Sequence, residues 1–70
     1  GRYKGFEIVD AEKGLLGTIT AIEEYPQQEM AVVSYKEVKT LVPLHQHLIE
    51  QIDEAQKQII MNLPEGLLDL

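Results

Sequence analysis

Two histidines, His45 and His47, come nearest to a metal-ligating pattern in this chain. Their spacing places both rings on one side of a strand but well apart on a helical turn. Zinc normally takes at least three protein ligands, and no spacing in the sequence brings the next carboxylate, Glu50, to the pair. The expectation is two exposed loop histidines and no metal. Nucleophilic catalysis has no better support. Ser34 is the sole serine, lies in an apolar run that reads as a strand, and has no nucleophile elbow around it. The acidic pairs are Glu23-Glu24 and Asp53-Glu54. Paired carboxylates divide acid and base roles only when their surroundings separate their pKa values, whereas loops and strand ends leave both in water. Gly14-Leu15-Leu16-Gly17 has neither the spacing nor the strand-to-helix setting of a phosphate-binding loop. No catalytic residue, metal ligand set or cofactor motif emerges, so the chain reads as a binding protein and not as an enzyme.

Binding then falls to aromatic and charged side chains. Phe6 and Tyr35 occupy expected strand positions and are assigned to the core. Tyr3, ahead of the first strand, and Tyr25, in an expected loop, are candidates to anchor a partner. Twelve acidic against six basic residues leave a net charge of −6. That charge opposes nonspecific attraction to a phosphate backbone, whose affinity comes from clustered Lys and Arg. Little direct RNA binding is therefore expected, while a basic protein would be steered toward this surface.

The elements that must position these residues are short. Seventy residues make one domain with a small core. The absence of cysteine suits a reducing compartment, and a cytoplasmic location follows as the default. No apolar run approaches the roughly 20 residues of a membrane span, and residues 1–5 lack the apolar core of a secretion signal. Residues 6–10 alternate as a first strand. Gly14 supplies the left-handed position of a hairpin loop, and residues 15–23, rich in β-branched side chains, read as one longer second strand in which Gly17 marks a bulge or a bend. Residues 24–28 read as a polar loop around Pro26. Strands over 30–35 and 38–42 follow, reversed at Lys36-Glu37 and ended by Pro43. Short connections leave no room for crossover helices, which argues for an all-β barrel or sandwich. Over 44–61 the pattern is divided. Leu44, Leu48, Ile52, Ala55 and Ile59 recur at helical intervals, yet Asp53 is a good turn opener and Ile59-Ile60 suits a buried strand.

Taken in order, Ile8-Val9-Asp10, Leu16-Gly17-Thr18-Ile19, Leu41-Val42-Pro43, Ile52-Asp53, Ile59-Ile60 and the closing Pro64-Glu65-Gly66-Leu67-Leu68-Asp69-Leu70 resemble the C-terminal half of the RimM ribosome maturation factors. That half is a PRC-barrel domain. The resemblance covers nearly the whole chain and implies a small barrel of about six strands with one short helical turn near 45–48. It resolves the divided stretch as a strand over 49–52, a turn over 53–56 and a last strand over 57–62. It also implies that residues 1–70 are one domain of a longer two-domain protein, preceded by an N-terminal domain. The implied function is non-catalytic: assisting maturation of the small-subunit head and processing of 16S rRNA. The implied partner is a basic ribosomal protein of that head, small-subunit protein nineteen. Another use of the same domain is as a structural module, as in the reaction-centre H subunit. Tyr3, Tyr25, Glu65 and Asp69 are the expected partner contacts. Pro64, Gly66, Leu67 and Leu68 form an expected structural tail, with both leucines folded back over an open end of the barrel.

Overall fold

A computed structural model describes residues 2–68. Among the described residues, seven strands form two sheets around one core. The first hairpin joins β1 (Glu7–Asp10) to β2 (Gly14–Thr18). A meander follows, β3 (Ala21–Tyr25), β4 (Gln28–Tyr35) and β5 (Val38–Pro43). A single 3-10 turn, Gln46–Leu48, leads to β6 (Ile49–Asp53) and β7 (Gln58–Met61). One sheet runs β2-β1-β7-β6 and the other β3-β4-β5. Strands β1 and β7 pair in parallel, Glu7 opposite Gln58 through Asp10 opposite Met61, while every other pair is antiparallel.

The run expected as one strand over 15–23 is two strands in different sheets, which raises the count from six to seven. The switch occurs at adjacent residues: the Ile19 amide donates to the Phe6 carbonyl at 2.8 Å, and the Thr20 amide donates to the Val32 carbonyl at 2.9 Å. Ile19 is only 1% exposed, so the crossing point lies inside the core. Gly17 makes the corner feasible. Its φ is +152°, and a Cβ there would stand 3.0 Å from the Ser34 carbonyl oxygen of β4. A side chain would hold the two backbones apart and would also strain the residue itself.

The polar stretch over 24–28 is also not a loop. Tyr25 pairs with Gln28, leaving a two-residue turn at Pro26-Gln27. The next reversal, Lys36-Glu37, has φ values of +50° and +67°. Both are left-handed, the form whose twist matches a two-residue hairpin. Over 44–61 the helical spacing is satisfied by a strand pair, with Ile52 opposite Ile59. The turn between them is held by the Asp53 carboxylate, which accepts from the Gln56 amide at 2.9 Å. Apolar residues from both sheets meet in the centre: Ile8, Ile59 and Met61 from one, Ala31 and Val42 from the other, all fully buried.

Candidate functional site

The turn over residues 2–5 leads into β1 and packs beside the β3–β4 hairpin, and a cleft of about 370 Å³ opens between them. Arg2, Tyr3, Ile22, Glu24 and Glu29 line it. Tyr3 is half-buried, its ring edge-on to Phe6 with centroids 5.3 Å apart. The Arg2 guanidinium lies over the same ring at 5.3 Å and donates to Glu54 at 3.0 Å. That hydrogen bond, followed by the charges of Tyr3 and Glu54, holds the guanidinium above its usual value. The surface ion pair itself contributes little to stability because both partners are well exposed.

Strand alternation sorts the acidic residues of β3. Glu23 and Tyr25 share one face, where the Tyr25 hydroxyl donates to Glu23 at 2.8 Å and Lys39 lies 3.6 Å from the same carboxylate. The hydrogen bond to Glu23, and then its charge, raise the Tyr25 phenol above its ordinary pKa. Glu24 faces the other way, into the cleft, directly opposite Glu29 on β4. Adjacency in sequence therefore separates Glu23 from Glu24. The polar composition of 24–28 conceals this, since Glu24 and Glu29 pair only because both strands extend to the Pro26-Gln27 turn.

Of the expected partner contacts, Tyr3 lies in the cleft, while Tyr25 is 48% exposed on the opposite face of β3 and does not line it. Glu65 is exposed in the tail turn, and Asp69 lies outside the described residues. In the tail, the Leu67 amide donates to the Pro64 carbonyl at 3.2 Å, and Gly66 takes a φ of +93°. This is a type II turn, which requires a positive φ at its third residue. It delivers Leu68 to the core at 5% exposure, whereas Leu67 remains 36% exposed. The expectation that both leucines fold in is corrected for Leu67.

The sequence reading missed the residue that anchors this tail. Asp10 is 4% exposed, and its carboxylate accepts three backbone amides: Leu63 at 2.9 Å on one oxygen, Glu12 at 3.0 Å and Lys13 at 2.9 Å on the other. Burial pushes its pKa up. The Leu63, Lys13 and Glu12 amides and the Lys13 charge outweigh that effect and hold the carboxyl below its ordinary value. One side chain thus closes the first hairpin and clamps the chain as it leaves β7. An Asp at the end of a strand followed by a polar turn carries the hairpin half of this signal; the contact with Leu63, 53 positions away, does not show in the sequence.

His45 caps the 3-10 turn, and His47 lies within it. His45 is in extended conformation, and its Nδ1 accepts the His47 amide at 3.1 Å, which brings the rings to 4.8 Å instead of apart. Among the described residues, no group of three or more His, Cys, Asp or Glu is placed to hold a metal ion, and no helix is long and apolar enough to cross a membrane.

Two small sheets closed on one core, with a mixed cleft at the rim, define a small β-barrel domain. The model of the RimM PRC barrel domain family matches residues 2–67, and the chain belongs to that family. It is 39% identical over 66 residues to the ribosome maturation factor RimM of Flavobacterium psychrophilum, covering 94% of this chain and 38% of that protein. Identity to the ribosome maturation factor RimM of Flavobacterium johnsoniae is 41% over 66 residues, with the same coverage. The chain thus spans well under half the length of the curated relatives it matches. The fold is that of a crystal structure of a 16S ribosomal RNA processing protein RimM from Pseudomonas aeruginosa. The TM-score is 0.79 at 20% identity, over 90% of this chain and 42% of that one.

Proposed function

We propose that this barrel serves as the partner-binding half of a ribosome maturation factor. It acts in the cytoplasm by binding and not by catalysis, and assists maturation of the 30S head and processing of 16S rRNA. Membership of the RimM PRC barrel family over residues 2–67 carries the reading. The partner proposed is the basic ribosomal protein of the head, small-subunit protein nineteen. A chain with net charge −6 attracts such a protein and repels a phosphate backbone. Tyr3 in the cleft and the exposed Tyr25 and Glu65 are proposed contacts, and Asp69, outside the described residues, is proposed with them. Titration calorimetry of the domain against protein nineteen and against small-subunit RNA, at two ionic strengths, tests it. Binding to the protein that weakens with salt is the expected result; tighter binding to RNA than to protein overturns the assignment.

A further inference from the structure

The inner face of the β3–β4 hairpin does not end where the core ends. Ile22 and Ala31 stand opposite each other on this face, Ala31 fully buried and Ile22 packed against the core. Two residues further out on the same face, Glu24 stands directly opposite Glu29. Like charges directly opposed across an antiparallel pair are unfavourable. Among the described residues, neither carboxylate has an ion pair or a side-chain hydrogen bond, whereas Glu23 on the outer face has both Lys39 and Tyr25. Arg2 lines the same cleft, yet its guanidinium is directed at Glu54.

The wall beside these carboxylates is suited to a cation with an apolar stem. Ile22 offers aliphatic surface, and the Tyr3 ring already carries a guanidinium over it at 5.3 Å. Aromatic faces attract Arg and Lys in this geometry, and the methylene stems of those side chains pack on apolar surface while the charge stays at the rim. We propose that the Arg2–Tyr3–Ile22–Glu24–Glu29 cleft is the subsite that receives a cationic side chain, Arg or Lys, from a basic protein partner. The inference rests on the reading of this domain as the binder of a basic protein and adds the contact: the incoming cation relieves the opposed carboxylates.

A capped tetra-arginine peptide titrated into the labelled chain, followed by amide chemical shifts, probes the cleft without the natural partner. The largest shifts are expected at Tyr3, Ile22, Glu24 and Glu29. Shifts centred elsewhere overturn the proposal. In parallel, Glu24→Gln with Glu29→Gln should weaken binding of small-subunit protein nineteen by about tenfold or more at low salt. Neutralising two acids away from the cleft, Glu12→Gln with Glu50→Gln, should change it by less than about twofold. If the protein binds and the two double variants lose equally, the cleft is refuted while the functional reading stands. If tetra-arginine maps to the cleft and protein nineteen does not bind, the functional reading falls and the subsite survives. Charges on an edge strand can also serve only to prevent edge-to-edge pairing. In that case the peptide leaves the cleft amides unmoved, and the proposal is overturned.

Discussion

Removing the Asp10 carboxylate should cost this domain a large part of its stability. In Asp10→Ala the Leu63 amide, whose hydrogen bond is buried, loses its acceptor; leaving such a donor unsatisfied costs about 1–3 kcal/mol. The Glu12 and Lys13 amides are only part-buried and can turn to water. Losing their cap resembles losing a helix N-cap, at about 1 kcal/mol. The sum is about 3 kcal/mol, against a total of roughly 4–10 kcal/mol for 70 residues at ordinary stability per residue. At about 4–8 °C per kcal/mol for a domain of this size, the midpoint should fall by about 12–24 °C. Thermal and urea unfolding measure it, with Asp53→Ala as the comparison, because that carboxylate caps a single exposed amide and should cost about 1 kcal/mol or less. The pH dependence has a definite sign. The folded Asp10 pKa is depressed, so its stabilisation is complete above the ordinary carboxylate value of about 3.9 and is lost as pH falls through the folded value. The stability difference between the wild type and Asp10→Ala should therefore shrink below about pH 4. Equal losses in Asp10→Ala and Asp53→Ala, or a difference that does not move in acid, would refute the clamp.

Three further outcomes follow from the same geometry. Gly17→Ala places a Cβ 3.0 Å from the Ser34 carbonyl at a φ of +152°; it should destabilise by about 2 kcal/mol or more in denaturant titration, and a loss below about 0.5 kcal/mol would disprove the close approach of β2 to β4. Leu68→Ala should cost about 2–3 kcal/mol and Leu67→Ala less than about 1, measured by the same unfolding curves, since only Leu68 is in the core. Replacing Lys36-Glu37 by Asn-Gly should stabilise by about 1–2 kcal/mol, because both residues now hold a left-handed φ that costs ordinary side chains about 1 kcal/mol each; an unchanged midpoint would show the turn to be unstrained.

Local chemistry made much of this barrel legible in the sequence. Gly14 and Gly66 stand where positive φ is needed, Asp53 opens the turn whose amide it caps, and β-branched runs mark the strands. These signals act within a few residues, so they survive without knowledge of the fold. Over 44–61 the local signals conflict, and resemblance to the family resolves them as the strand, turn and strand that the structure shows. What only the tertiary structure decided is non-local. The chain changes sheets between Ile19 and Thr20 because one amide finds its acceptor at Phe6, just ahead of β1, and the other at Val32 on β4. Glu24 meets Glu29 only once the register of β3 on β4 is set. Asp10 looks like a turn residue until Leu63 arrives from the far end of the chain. Register and burial depend on which strand lies opposite. A carboxylate becomes a clamp, a cleft wall or a solvated turn charge according to that neighbour, and its own residue type does not choose among them.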